Sequence, residues 1–309
     1  MTEENDNADR GTRCGFVAVI GAPNAGKSTL INTLVGSKVS IVSPKVQTTR
    51  TMVRGMIVKD RSQIIFIDTP GIFSPKKRLE KAMVAAAWQG RDEADIVMVM
   101  VDASRKKVDA DTRAIVERLA EVRGDMPCVL LLNKFDQARK ETLLRMAEEL
   151  NAMLDFTATF MISALKRDGT DDVLSWLAKN VPTGVWHYPE DQISDMPARL
   201  LAAEVTREKL FRALYQELPY ALTVETEGWE EFDNGDIRIS QVVYVTRDTH
   251  KAIVLGKGGQ QIREIGEAAR LELQDIFECK VHLKLFVKVD EAWLEDRERY
   301  EVWGLDFNA

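Results

Sequence analysis

The segment Gly21-Ala22-Pro23-Asn24-Ala25-Gly26-Lys27-Ser28-Thr29 packs the most chemistry into the fewest residues. Its two spaced glycines let a backbone curl until several N–H groups point at one spot. A lysine and a hydroxyl follow at once. Such a loop binds phosphate, and a helix starting at the lysine adds its positive end to the same spot. Lys27 would then reach the β- and γ-phosphates of a nucleotide, and Ser28 would ligate Mg²⁺. An ordinary glycine-rich turn has no need of the Lys-Ser pair.

A phosphate loop does not choose between ATP and GTP, and later residues do. Asp68-Thr69-Pro70-Gly71 offers a carboxylate for Mg²⁺ and a glycine N–H for the γ-phosphate. Asn133-Lys134-Phe135-Asp136 offers a carboxylate that can accept from guanine N1–H and N2–H₂. Adenine lacks that donor pair, so it would leave the carboxylate unpaired. The Lys134 stem can lie on the base. Ser163-Ala164-Leu165 can present a backbone N–H to guanine O6. The expected ligands are GTP and GDP with Mg²⁺, and the expected reaction is hydrolysis of GTP to GDP and phosphate. Lys27 and Gly71 are among the expected catalytic groups, and Ser28 and Asp68 among the expected metal ligands.

These residues need a scaffold that delivers them to one edge. Phe16–Ile20, Gln63–Ile67, Ile96–Val101, Cys128–Leu132 and Thr159–Ile162 are short, continuous apolar runs, as in strands covered on both faces. Helical patterns alternate with them at Ser28–Val35, Leu79–Asp92, Ala110–Val122, Lys140–Leu154 and Asp171–Asn180. The alternation predicts an α/β domain, a mostly parallel sheet with helices on both faces. Thr51–Val58 reads as a further, edge strand. Each motif above follows a strand, where open α/β sheets bind ligands.

The set resembles the translation-factor-like GTPases. Gln47-Thr48-Thr49-Arg50 sits where that group has its first switch, whose threonine ligates Mg²⁺ when the γ-phosphate is present. Thr49 aligns with that threonine, and Thr48 is the alternative one residue away. Ile72 stands where Ras-type GTPases carry a water-orienting glutamine, so slow intrinsic turnover is expected. In related GTPases an asparagine inside the phosphate loop helps bind a potassium ion, and Asn24 matches it, which adds K⁺ as a candidate cofactor.

Beyond the first domain the composition changes. Residues 182–197 hold three of the nine prolines and no clear period, and read as a linker. After it the order is helix, strand, strand, helix, helix, strand, with Gly256-Lys257-Gly258-Gly259 between the two adjacent helices. A GxxG loop of this kind brings bare backbone against the phosphates of a single strand, beside a groove for about four bases. Most isolated GxxG matches are turns, but here the flanking order is that of a type II KH domain. Lys251, Lys257 and Arg263 are the only charged side chains from 251 to 263. They form a narrow basic strip that could meet phosphates despite a formal net charge of -7.

A GTPase followed by such a domain resembles the Era family over nearly the whole chain. The likeness extends to Gln47–Arg50, Tyr188-Pro189-Glu190-Asp191, Glu217-Leu218-Pro219-Tyr220, Gly256–Gly259 and Val281–Lys288. Ile72 agrees with that family. The resemblance implies binding to the 3′ end region of small-subunit ribosomal RNA and GTP-dependent action in assembly of the small ribosomal subunit. It also implies a cytoplasmic protein, with peripheral contact at the inner face of the cell membrane. An RNA chaperone with structural nucleotide and a membrane-associated signalling GTPase are the alternative readings.

The bulk numbers set outer limits. The 309 residues suffice for two cores. Expected boundaries are a flexible acidic N-terminus at 1–12, the GTPase domain at 13–181, the linker at 182–197, the KH domain at 198–290 and a tail at 291–309. Cys14, Cys128 and Cys279 are too scattered for a metal site and read as small hydrophobes. No apolar run is long enough to span a membrane. No heptad seam is visible, so a monomer is expected.

Overall fold

The computed structural model describes residues 11–309. Most of the acidic N-terminus expected at 1–12 therefore lies outside the described residues. Chain contacts define two compact units.

The first unit comprises the chain up to Ser40, Thr49–Asp195 and Trp303–Ala309. Its elements run β1 (Arg13–Ile20), α1 (Lys27–Val35), β2 (Val53–Lys59), β3 (Ser62–Asp68), α2 (Arg78–Asp92), β4 (Ile96–Asp102), α3 (Ala110–Val122), β5 (Cys128–Asn133), α4 (Lys140–Met153), β6 (Ala158–Ile162) and α5 (Thr170–Asn180). The strands form a six-stranded sheet in the order β2-β3-β1-β4-β5-β6. All neighbours are parallel except β2, which runs antiparallel to β3. Every residue of β3, β4 and β5 is buried, which explains their unbroken apolar runs. Strand register then aligns the motifs. Val19 is opposite Asp68, Ile20 opposite Val99, Asp102 opposite Asn133, and Asn133 opposite Ile162. The loops that follow β1, β3, β5 and β6 thus open on one edge of the sheet.

The span expected as a linker is tied to the first unit at several points. Cys14 N–H donates to Pro182 O at 3.0 Å, Gln63 Nε2 to Tyr188 O at 2.7 Å, and Met56 N–H to Ile193 O at 2.9 Å. Arg54 and Asp195 form an ion pair at 3.1 Å. Residues 193–195 meet the outer edge of β2, whose N–H and C=O groups need partners, while Pro182 and Tyr188 are held by β1 and β3. Proline-rich composition reports the lack of regular structure, not the lack of attachment.

The second unit comprises Ile41–Thr48 and Met196–Val302. It contains α6 (Ala198–Ala213), β7 (Leu222–Glu231), β8 (Ile237–Val245), α7 (Asp248–Leu255), α8 (Gln260–Phe277), β9 (Val281–Val289) and α9 (Arg297–Val302). The sheet order is β7-β8-β9, antiparallel then parallel. Leu210, Val243, Val254 and Ile265 share one apolar cluster, and Val205, Ile239, Leu273 and Val281 another. In β9, Val281, Leu283, Leu285 and Val287 turn inward while His282, Lys284, Phe286 and Lys288 are exposed. The chain after β9 is anchored too. Trp293 and Tyr300 are fully buried, and the Arg299 guanidinium stacks 4.5 Å from the centre of the Tyr244 ring while pairing with Asp290 at 2.9 Å. Among the described residues, no helix is long and apolar enough to cross a membrane.

Candidate nucleotide site and nucleic-acid loop

The phosphate loop runs from the end of β1 into α1. Gly26 has φ +104°, and a Cβ there would lie 2.3 Å from Asn133 Nδ2, so the position requires glycine. No side chain caps α1, which leaves its first N–H groups facing the loop. Lys27 is the first residue of the helix and is buried. Its Nζ donates to Gly21 O at 3.0 Å and Ala22 O at 3.2 Å. Burial pulls its pKa down to about 8, against the opposing attraction of Asp68.

Ser28, Thr49 and Asp68 converge. Ser28 Oγ donates to Asp68 Oδ2 at 2.7 Å and lies 2.9 Å from Thr49 Oγ1. The neighbouring Thr48 hydroxyl is engaged elsewhere, with Ser43 and Lys45 O, each at 2.7 Å. Of the two threonines considered, Thr49 is therefore the one beside Ser28. Asp68 is fully buried, and its Oδ1 has no hydrogen-bond partner. Burial raises its pKa, with the Ser28 hydroxyl and Lys27 working the other way. A buried carboxylate oxygen with an open lone pair, flanked by two hydroxyls, is a hard-oxygen set that fits Mg²⁺. Bound there, the ion would neutralise charge between phosphate oxygens.

Gly71 lies close to the phosphate loop, where a Cβ would come 3.0 Å from Pro23 Cα. The next residue, Ile72, donates its N–H to Gly21 O at 3.1 Å and buries its side chain in the core. It cannot orient water. Asn24 adopts φ +63° at the exposed tip of the loop.

Asn133 ties two loops together. Its Nδ2 donates to Ala25 O at 2.7 Å, and its Oδ1 accepts from Ala164 N–H at 3.0 Å. Lys134 Nζ donates to Asn24 O at 2.9 Å and to Asp102 Oδ2 at 2.6 Å. Asp102 is a site residue the sequence reading missed, although it ends β4 as Asp68 ends β3. Burial alone would raise its pKa, but the Lys134 ammonium and Ser104 outweigh it, and the net direction is down. Asp136 stands exposed at the rim, paired with Lys166 at 2.9 Å. Lys166 and the Ser163 hydroxyl hold its carboxyl below the usual range, so it is ionised and able to accept. Lys166 was also missed, because only the fold brings the loop after β6 beside it. Ser163 and Ala164 are buried and Leu165 is exposed.

In the second unit Gly256–Gly259 joins α7 to α8. Gly258 and Gly259 take φ +61° and +74°, and no atom lies within 4 Å of a Cβ built on either. The bare backbone is open to approach. Lys257 and Arg263 are exposed and Lys251 is half-buried. A cleft of about 690 Å³ borders the loop, lined by Lys209, Arg212, Lys257, Gln260, Gln261 and Glu264 among others. Lys209 and Arg212 were not assigned to the loop by the sequence reading; each is paired with a carboxylate, Glu272 and Glu208.

Residues 16–134 match the family model described as 50S ribosome-binding GTPase, and residues 217–294 match that of the KH domain. The GTPase Era of Sinorhizobium medicae is 59% identical over 297 residues, covering 96% of this chain and 94% of its own. That of Mesorhizobium japonicum is 55% identical over 307 residues, covering 99% and 98%. The chain belongs to the Era family of GTPases. Crystallographic Era structures agree in fold. Aquifex aeolicus Era bound to GDP·AlF4⁻ superposes with a TM-score of 0.88 at 37% identity, over 95% of this chain and 99% of its own. A second Era structure, in complex with MgGDPNP and nucleotides 1506-1542 of 16S ribosomal RNA, matches with the same TM-score, identity and coverage. As an Era-family GTPase the chain hydrolyses GTP, with GTP or GDP and Mg²⁺ as its ligands.

Proposed function

We propose that this GTPase binds the single-stranded 3′ end region of small-subunit ribosomal RNA through its KH domain. In doing so it assists assembly of the small ribosomal subunit, acting as a cytoplasmic monomer with at most peripheral membrane contact. The observation that carries the reading is the open Gly256–Gly259 loop with its basic neighbours, in a chain similar to an Era structure that holds 16S ribosomal RNA. Lys27 and the loop N–H groups cradle the phosphates. Ser28, Thr49 and Asp68 hold Mg²⁺. Gly71 N–H senses the γ-phosphate, and Asp136 reads guanine with Ser163–Leu165. Asn24 helps bind K⁺, supplying positive charge where Ile72 offers no help to water. The GTPase domain spans 13–181 and the KH domain 198–290.

GTP turnover with and without an RNA matching the 3′ end region tests this. Slow basal turnover accelerated by the RNA is expected, and faster in K⁺ than in Na⁺. Tight RNA binding with unchanged turnover would favour the RNA chaperone with structural nucleotide. Asp136→Asn is expected to shift preference from GTP toward xanthosine triphosphate by at least about tenfold, since an amide donates where the carboxylate accepted. Unchanged discrimination would remove Asp136 from base reading.

A further inference from the structure

Lys134 has φ +64° and ψ +33°, the left-handed region, which a lysine adopts only at a cost. It opens the short turn Phe135–Gln137, whose Gln137 N–H returns to Lys134 O at 3.0 Å. Asn133, just before it, is buried between two neighbouring loops, and Asp136, two residues after it, is exposed at the rim. The unfavourable residue thus joins a buried brace to the carboxylate that reads the base. Its side chain is what holds it. Lys134 Nζ donates to Asp102 Oδ2 at 2.6 Å and to Asn24 O at 2.9 Å. Asp102 is 9% exposed and ends β4, in register with Asn133 at the end of β5. Its other oxygen is taken: Oδ1 accepts from Ser104 N–H at 3.1 Å and from Ser104 Oγ at 2.6 Å. Arg105 lies 4.0 Å from Oδ2 and is paired with Asp109 at 3.0 Å. Asp102 therefore presents one oxygen to one ammonium, and all these groups belong to the first unit.

A buried carboxylate left without a cation is costly, so Asp102 holds the ammonium firmly. Its own place is set by the sheet, because it is the last residue of a buried strand. Without that anchor a lysine side chain regains rotamer freedom, and nothing in it then opposes relaxation of the left-handed backbone. We propose that Asp102 is a positioning residue for the base: by holding the Lys134 ammonium against the Asn24 carbonyl it keeps the left-handed turn that sets Asp136 where guanine is read. The proposal rests on the reading of Asp136 as the acceptor for guanine N1–H and N2–H₂. Two parallel hydrogen bonds to one carboxylate need accurate direction, so a displaced Asp136 loses the guanine-specific part of the affinity. A loosened phosphate loop, by contrast, weakens every nucleoside diphosphate alike.

The test measures affinities for GDP and for inosine diphosphate, with Mg²⁺, by calorimetric titration of the full chain. Inosine diphosphate keeps N1–H and O6 and lacks only the 2-amino group, so any common loss cancels in the GDP-to-IDP ratio. The variants are Asp102→Asn, Lys134→Met, the two combined, and Asp136→Ala. In Asp102→Asn the ratio is expected to fall about fivefold. Lys134→Met keeps an apolar stem for the base and removes the ammonium, and should lower the ratio to the same extent. The combined variant should be no lower than Lys134→Met alone, since both changes break one bond. A folded Asp102→Asn with an unchanged ratio, even with both affinities reduced, overturns the proposal, and so does a combined variant in which the two losses multiply. If the amide at 102 prevents folding, Lys134→Met decides, because it leaves the bonds from Ser104 to Asp102 in place, and an unchanged ratio there overturns the proposal. Asp136→Ala separates the two levels. A reduced ratio there with Asp102→Asn and Lys134→Met silent sinks only the role of Asp102, whereas an unchanged ratio sinks the reading of Asp136 as well.

Discussion

Lys27 shows how a single residue stores the demand for its ligand. It is buried at the start of α1, donating to Gly21 O and Ala22 O, and burial brings its pKa to about 8. Phosphate oxygens beside it would raise that pKa, since opposite charge favours the ammonium. The sign follows. Below about 8 the lysine is charged both free and bound, and affinity is full. Above that value the free protein has lost the proton while the complex keeps it. Binding then takes up a proton, and affinity falls as pH rises toward the pKa of the complex. Calorimetric titration of GDP about one pH unit above the free value, in two buffers of different ionisation enthalpy, should give different heats. Equal heats would mean that Lys27 does not titrate with binding.

At the scale of elements, the parallel register gathers the site and Asn133 locks it. Sitting at the end of β5, Asn133 bonds Ala25 O in the phosphate loop and Ala164 N–H after β6. Asn133→Ala would leave both groups buried and unpaired, at a cost of about 1–3 kcal/mol each. The expected outcome is a protein at least about 2 kcal/mol less stable in denaturant titration. GTP and GDP affinity should drop together, because both the phosphate loop and the guanine loop lose their brace. A variant with wild-type stability and affinity would show that the loops hold their places without it. This role was not visible in the motif, which pointed to the base. Asn133 braces the two loops beside it, and Asp102 holds Lys134.

At the scale of the whole molecule, an acidic protein must meet an anionic partner through a small surface. Lys251, Lys257 and Arg263 supply few charges, so the salt dependence of RNA binding should be shallow. Gly258→Asp tests the contact with little risk to folding. Its φ of +61° is one that aspartate tolerates, and the Cβ would meet nothing within 4 Å. Filter or anisotropy titration should show RNA affinity lowered by about tenfold or more, with a melting temperature near that of the parent. Unchanged RNA affinity would take the loop out of the interface.

The sequence by itself determined the strands, the helices and the order of the motifs, because apolar period, glycine placement and the Lys-Ser pair are local properties. It also determined the KH element order, since the helix patterns and the alternation in β9 are read within one segment. What only the tertiary structure decided is which groups become neighbours. Asp102 beside Lys134, and Lys166 beside Asp136, depend on the register of strands far apart in the chain. The pairing of residues 193–195 with β2 depends on an open sheet edge that composition does not record. The placement of Ile41–Thr48 on α6 depends on carbonyl groups that every residue carries alike, so no residue pattern could announce it.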